Sequence, residues 1–449
     1  MRRLPRIIAS LVLVELMVVA TIVFIVWALR SPPAVQAFLV RLVLVSLLIF
    51  LAILFIRYFS LLWFAYLGHA ERNVLGGNRT GKLLPISVIV PAYNEATVID
   101  GALASLTGLE YPKLEVVVVD DGSTDETLRV AAAWEGRHGN TEVRVVTKRN
   151  GGKAAALNTG IAASKHPFIF CMDADSRLEP ETLRQAVQQF GDPSVGAVAG
   201  NVKVENRVGY LTKLQALEYV EGLNLPRRAQ GFIAAVNIVP GPVGLFRREA
   251  LQEVGGYDTD TFAEDADLTL KLVAAGWKVV YEDTAIAWTQ APETWLDLIQ
   301  QRYRWTRGIL QSLKKRKGLF VRPFPDFPLW LSVMEMGFEA VLWPILNVYA
   351  HLFFALVALL FGAGELLLYW WILLTLLDLV AAFVSVSMEE ESLGLVPYAV
   401  IYRFFFILFL DVVKTFAALE ELFNLGMGWE KVRRVATTRP AVETLERIS

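Results

Sequence analysis

The chain contains one cysteine, Cys171, in 449 residues. An intrachain disulfide is therefore excluded, and thiol content gives no guide to redox compartment. Excess charge is missing too. Lys and Arg number 43 against 45 Asp and Glu, a formal net charge of −2. Bulk charge thus argues neither for nor against nucleic acid. A Walker loop is absent. "NGGKAAALN" (150–158) offers a glycine turn and Lys153, but the spacing is wrong, and Ala154 stands where Ser or Thr would be needed. That argues against a P-loop ATPase. No small-residue cleavage site follows the first apolar run, which argues for a retained span rather than a signal peptide.

Apolar residues are abundant instead. They make up 55% of the chain, and mean hydropathy is +0.45. An ordinary globular enzyme is less apolar than this. The excess is concentrated at the two ends. "IIASLVLVELMVVATIVFIVWAL" (7–29) and "FLVRLVLVSLLIFLAILF" (38–55) are each long enough to cross a bilayer. Further apolar stretches cover 329–362, 366–388 and 395–418. This divides the chain into a two-helix membrane region (1–68), a globular domain (84–290), interfacial amphipathic helices (291–328), a C-terminal membrane region of about three helices (329–420) and a basic tail (421–449). Arg2, Arg3 and Arg6 precede the first span, and eight Lys/Arg lie between Arg302 and Arg322. The positive-inside rule places the N-terminus and the central domain in the cytoplasm. The tail "WEKVRRVATTRP" also favours the cytoplasm, yet two plus three spans would put it outside. Either 329–362 hides a second membrane element, or 395–418 does not fully cross.

In the central domain, "ISVIVPAYNE", "EVVVVDDGSTDET", "EVRVVTKRNGGKAAALNTG" and "PFIFCMDAD" are β-branched runs that each lead into a turn and a helical pattern. Alternating strands and helices predict an α/β domain with a mostly parallel sheet. Ligands bind such sheets beyond the carboxyl ends of the strands. Asn94, Glu95, Asp121, Lys153, Asp173 and Asp175 fall at those ends. Asp173 and Asp175 are one residue apart, so both face one point on an extended chain. Two carboxylates that close call for a cation or donors between them. Asp125 and Glu126 read as helix-start residues, with Ser123 and Glu126 forming a capping box. Lys153 either neutralises a phosphate or is a solvated first-turn lysine.

"YDTDTFAEDADLTLKLVAAGW" predicts a helix that opens with Glu264, Asp265 and Asp267 and stops at Gly276. Dipole compensation explains one or two acids there more easily than three. In "QQRYRWTRG", Gln301, Arg304 and Trp305 lie at i, i+3 and i+4 on one helix face. An amide, a guanidinium and an indole suit a diphosphate beside a sugar. Glu15, Arg41, Asp378, Arg403, Asp411 and Lys414 lie in or beside apolar segments, where polar groups usually face a protein interior. Arg41 and Lys414 read as snorkelling side chains.

The ordered set "VPAYNE", "DDGSTD", "DAD", "AED" and "QRYRW" resembles the membrane-embedded processive glycosyltransferases of family 2, the cellulose, chitin, hyaluronan and poly-N-acetylglucosamine synthases. "VGAVAGNVKVENRVGYLTKLQALEY" resembles the poly-N-acetylglucosamine branch most. The resemblance implies a Rossmann-like GT-A domain inserted between membrane helices, in a multi-pass protein of the cell membrane. It also implies an inverting polymerisation of a UDP-sugar, best UDP-N-acetylglucosamine. Tyr93, Glu95 and Asp121 would hold the uridine. Lys153, Asp173, Gln301 and Arg304 would face the donor, and Trp305 and Glu264 the acceptor. Asp173 and Asp175 would hold Mg²⁺ or Mn²⁺, and Asp265 would be the general base. Ala263 departs from the family's usual Thr. The partners implied are the UDP-sugar, the growing polysaccharide and the bilayer, with room for a small membrane subunit and no nucleic acid. The rivals are a non-processive transferase to a lipid carrier, a glucan- or hyaluronan-type synthase, and a transporter or receptor with a regulatory nucleotide domain.

Overall fold

The computed structural model describes residues 30–75, 80–321, 327–360 and 364–423, with isolated positions 23, 26 and 27. Most of the expected span 7–29, with Glu15, and most of the basic tail lie outside these residues.

Among the described residues, nine strands form one sheet in the order β3-β4-β2-β1-β5-β8-β7-β9-β6. Four of them are the runs read from sequence: β1 (Ile86–Ala92), β2 (Leu114–Asp120), β4 (Thr141–Thr147) and β5 (Phe168–Cys171). They pair in parallel in the order β4-β2-β1-β5. Both faces are covered, as their unbroken hydrophobicity requires. Val116 and Val118 of β2 enter one core, while Val117 and Val119 enter the other. Each fully buried valine contributes about 1.5–3 kcal/mol. Gly160, in the helix Lys153–Ala163, lets that helix press on the sheet: a Cβ there would stand 2.3 Å from Ile89 Cγ2.

The sheet is mixed: its long pairings are parallel, as expected, and short antiparallel pairings join and edge them. β7 (Val195–Val204) and β9 (Lys278–Thr289) are parallel to each other. β8 (Gly244–Arg247) runs antiparallel to both β5 and β7. β6 (Arg177–Leu178) and β3 (Gly136–His138) add short antiparallel edges. β8 enters after a long helical excursion and the loop "VPGPVG", with no βα crossover to impose the parallel direction. The capping box also fails to form. The helix begins at Thr127, Ser123 Oγ accepts from Asn94 N (3.0 Å), and Asp125 Oδ1 accepts from Thr127 N (3.0 Å). Ser123 thus ties two strand-end loops together. Gly276, by contrast, does stop its helix, in the left-handed region at φ 93°.

Among the described residues, four helical stretches are long and apolar enough to cross a membrane: Leu48–Ala70, Leu329–Ala355, Leu367–Met388 and Leu393–Leu422. The expected second span, 38–55, belongs to one continuous helix, Pro33–Leu75, whose apolar stretch extends past Phe55. Arg57 breaks the pattern in sequence but pairs with Glu339 at 2.5 and 3.0 Å. Arg403 is likewise paired with Asp378 and Tyr58 in the bundle interior. Asp411 accepts from Asn347 Nδ2 (2.7 Å) and lies 3.7 Å from Lys414. Lys414 therefore faces the protein interior and does not snorkel, whereas Arg41 is exposed.

The bundle of apolar helices is fastened to the central domain at Glu389 and Glu391, just past the helix Gly364–Met388. Arg228 and Asn201 bond Glu389, and Arg207 grips Glu391 through two bonds of 2.6 and 2.7 Å. Removing one partner of a buried pair like these costs about 3–5 kcal/mol. The joint fixes how the domain sits on the bundle.

Candidate active site

The carboxyl ends of β1, β2, β4 and β5 deliver their loops to one edge of the sheet. The first two loops are laced together. Asn94, in the left-handed region at φ 53°, accepts from Thr124 N (2.8 Å), and Glu95 N donates to Thr127 Oγ1 (2.7 Å). Tyr93 is the exposed member of this group. Asp121 is buried, and its carboxylate accepts from Lys148 Nζ (2.6 Å), Gly151 N (3.0 Å) and Gly152 N (2.7 Å). The family resemblance implies that Asp121 would hold the uridine. These bonds make it a brace for the glycine loop that starts the helix of Lys153.

Lys153 reaches across the site. Its ammonium lies 2.6 Å from Asp173 and 2.9 Å from Glu264. Burial pulls its pKa down, but Asp173, Glu264 and Asp265 outweigh that and hold it above the ordinary lysine range. It ties the strand-end turn to the helix Glu264–Ala274. Glu264, expected at the acceptor, is its second anchor. The loop carrying Gly241 closes over this contact. A Cβ there would stand 2.8 Å from Lys153 Nζ and 3.1 Å from Asp173 Oδ2.

Asp175 is buried beside the hydroxyls of Ser176 (3.1 Å) and Thr289 (3.4 Å). Asp173 and Asp175 together offer hard oxygen donors beside a tight glycine cradle, and that donor set fits Mg²⁺ or Mn²⁺. A second acidic group, Asp258, Asp260 and Asp267, brings its oxygens within 4.8 Å of one another. It fits a cation poorly because cations of the chain already fill it. Lys315 lies 2.6, 2.5 and 3.2 Å from the three, and Lys271 and Arg316 add further pairs.

Asp265 stands at the start of its helix, and its Oδ1 accepts from Ala266 N (2.8 Å). Burial, then the neighbouring Glu264 carboxylate, push its pKa up to about 6 against the pull of Lys153. A carboxylate so placed can take a proton near neutral pH. The loop before it is held from both sides. Tyr257 exchanges two bonds with Asn158 (2.8 and 2.9 Å), and Phe262 N donates to Gln311 (3.1 Å). Gly308 packs on Ala263, where a Cβ would lie 2.4 Å from the Ala263 nitrogen. Position 263 is therefore a packing point, and a larger residue there would have to displace the helix Trp295–Lys315.

The expected trio on that helix divides. Trp305 lines a cavity of about 250 Å³ that runs from the domain into the bundle of apolar helices, while Gln301 and Arg304 do not line it. Gln301 is buried and accepts from Arg302. Arg302 had no role in the sequence reading. It is buried, bonds Glu218 twice (3.0 and 2.6 Å), and its guanidinium stacks 4.2 Å from the Trp305 ring centre. Glu218 is 84 residues away, so no local spacing could reveal the pair. Gly241, Thr289 and Gly308 were also missed. Only the glycine-proline punctuation around Gly241 carried a signal.

Residues 84–308, half of the 449-residue chain, match glycosyltransferase like family 2. The poly-beta-1,6-N-acetyl-D-glucosamine synthase of Staphylococcus aureus strain COL is 32% identical over 259 residues, covering 58% of this chain and 62% of that protein. The synthase of the same name from Staphylococcus epidermidis strain ATCC 35984 is 33% identical over 239 residues, covering 53% and 58%. The chain thus spans 62% and 58% of the length of these curated relatives. Among solved structures, mannosyltransferase PcManGT from Pyrobaculum calidifontis, in complex with GDP-Man and Mn²⁺, superposes with a TM-score of 0.60 at 22% identity, covering 84% of this chain and 98% of that one. This likeness concerns the fold, and it agrees with a GT-A-like mixed sheet flanked by apolar helices. On its sequence match and its architecture, the chain belongs to glycosyltransferase like family 2.

Proposed function

We propose that the chain transfers a hexose from a UDP-sugar to an acceptor hydroxyl with inversion, and repeats the step to build a β-linked polymer that leaves through the membrane bundle. The observation that carries this reading is Asp265. It is a half-buried carboxylate with a pKa pushed up to about 6, set beside the Asp173–Lys153–Glu264 contact.

Asp265 accepts the proton of the acceptor hydroxyl as that oxygen attacks the anomeric carbon. The bond to UDP breaks on the opposite side, so a UDP-α-sugar gives a β-product. Trp305, with one face covered by Arg302, offers its other face to the acceptor ring and fixes its approach. Asp173 and Asp175 would hold Mg²⁺ or Mn²⁺, which when bound stabilises negative charge on the departing diphosphate. Tyr93 and Glu95 border the nucleoside end, and Asp121 acts through the loop that it braces. Gln301 and Arg304 support the helix on the diphosphate side. The donor is UDP-N-acetylglucosamine, by analogy with the synthases that the chain resembles. The catalytic domain lies on the cytoplasmic side of the cell membrane, as the basic segment Arg302–Arg322 indicates.

The test is UDP release by the purified full chain across a panel of UDP-sugars, with the product sized. Preferred turnover of UDP-N-acetylglucosamine into a long product supports the reading. A single-sugar product would favour the lipid-carrier transferase, and no UDP release with any donor would favour a regulatory nucleotide domain.

A further inference from the structure

Three π turns occur among the described residues: Tyr219–Asn224, Phe338–Leu342 and Tyr402–Ile407. All three line the same cavity as Trp305. Such turns leave backbone and side chains out of regular register and are frequent at functional sites. The charged groups of the cavity mostly pair with one another: Arg57 with Glu339, Arg302 with Glu218, Arg403 with Asp378, Lys414 with Asp411. Several lining residues keep unused hydrogen-bonding capacity, among them Glu221 and Ser385, and two of them, Arg227 and Gln230, sit three apart on the helix Leu225–Phe232. Residues at this spacing share a helix face.

Arg227 is 9% exposed, and its one hydrogen bond among the described residues is to Asn224 Oδ1 at 3.3 Å. A guanidinium carries five N–H donors. Gln230 is 6% exposed, and its Nε2 donates to Glu335 (2.9 Å), but its Oε1 is buried with no donor. A buried polar atom left unpaired costs about 1–3 kcal/mol. The cavity therefore presents an unused set of donors and an unused acceptor on one helix face, in a space that the Trp305 indole also lines. A phosphate or carboxylate would satisfy Arg227 and leave Gln230 Oε1 unpaired, because an anion has no hydrogen to give. A sugar satisfies both: hydroxyls accept from the guanidinium and donate to the amide oxygen, while an apolar sugar face lies on the indole.

We propose that Arg227 and Gln230 form a binding subsite for the sugar acceptor, on the membrane side of Trp305. This rests on the transferase reading above and adds residues that neither the motifs nor the relatives assign. The subsite holds the non-transferred part of the acceptor and so acts on acceptor affinity and on the choice between sugar and water.

The test uses the purified full chain in detergent, with UDP-N-acetylglucosamine as donor and a tetrasaccharide of N-acetylglucosamine as acceptor. UDP release without the tetrasaccharide reports hydrolysis, and chain extension reports transfer. Arg227→Met is expected to raise the KM for the tetrasaccharide and to lower the transfer-to-hydrolysis ratio by about 10–100-fold. A change of that size matches the removal of one or two hydrogen bonds between the guanidinium and the acceptor. Arg227→Lys should restore part of the ratio, and Gln230→Leu should shift it in the same direction by less. Transfer and hydrolysis falling in parallel in Arg227→Met and Gln230→Leu, with an unchanged KM for the tetrasaccharide, would overturn the proposal. So would competition by inorganic phosphate that Arg227→Met abolishes. Absence of both activities in the unsubstituted chain would instead defeat the transferase reading itself.

Discussion

Two acidic clusters share the helix Glu264–Ala274, and they differ in charge balance. At its start, Asp173, Glu264 and Asp265 gather around one ammonium, that of Lys153. On its other side, Asp258, Asp260 and Asp267 meet Lys271, Lys315 and Arg316. Both clusters draw on an Asp-x-Asp sequence, "DAD" at 173–175 and "DTD" at 258–260. In the second, burial pulls the Asp258 carboxyl upward, but hydrogen bonds from Lys271 and Lys315 hold it well below the usual range. In the first, Asp265 is raised. The lesson is that spacing alone does not identify a site. A saturated cluster is a clamp that fixes the loop 257–263, whereas a cluster short of cations retains capacity for a proton, a metal ion or a substrate.

The largest expected effect is at Asp265. Asp265→Asn keeps the shape and removes the proton acceptor, and turnover should fall about 10²–10⁴-fold. UDP binding measured by calorimetry should change little. Turnover like that of the unsubstituted chain would end the assignment of Asp265 as base and blur the contrast between the clusters.

Removal of the divalent cation comes next. EDTA should lower turnover about 10²-fold, and Asp175→Asn should do the same while weakening Mn²⁺ binding in the presence of UDP. Full activity in EDTA would show that the cation-poor cluster works without a metal.

A smaller effect is set by pH. The raised Asp265 must be ionised to accept a proton. The rate should therefore be level above about pH 7 and decline as pH falls through about 6, approaching tenfold per unit below it. A group held low, as Asp258 is, would put no limb in this range. A profile flat down to about pH 4.5 would mean that Asp265 is not the titrating base.

The contrast between the clusters was only half legible in the sequence. The parallel strands β1, β2, β4 and β5 could be read because their β-branched runs are buried on both faces and end in turn residues. The polar groups at their ends followed from that topology. The antiparallel half could not be read: β8 has four residues and β6 two, too short for a period to register. The charge balance was illegible because it is made by long-range partners. Lys315 meets Asp260 across 55 residues, and Arg302 meets Glu218 across 84. Lys153 stood at a helix start in the sequence, but only the fold brings Asp173 and Glu264 to it from two different loops. The face shared by Gln301, Arg304 and Trp305 was a sound helical inference. What it could not show is that Arg302 turns inward and bonds the Gln301 amide.

The smallest expected effect tests the comparison most directly. Asp260 is the exposed member of the saturated cluster, with a side chain 64% accessible, bonded to Lys315 at 2.5 Å. Lys315 keeps Asp258 and Asp267 if Asp260 is neutralised. An exposed pair of this kind is worth about 0–1 kcal/mol, so Asp260→Asn should shift the unfolding midpoint of the full chain only slightly. If the cluster is a clamp, neither Mn²⁺ affinity with UDP present nor turnover should move by more than about twofold, since that remaining energy is spread over a loop still held by Asn158, Gln311 and Arg316. The outcome is decisive because the alternative predicts the opposite ranking. A metal ion bound by Asp258, Asp260 and Asp267 would have to displace Lys315 and would depend on Asp260 as a ligand. Asp260→Asn would then reduce Mn²⁺ binding strongly, and Asp175→Asn would not. Measuring both variants by calorimetry under the same conditions orders the two clusters, and a larger loss at Asp260 than at Asp175 would reverse which of them is the site.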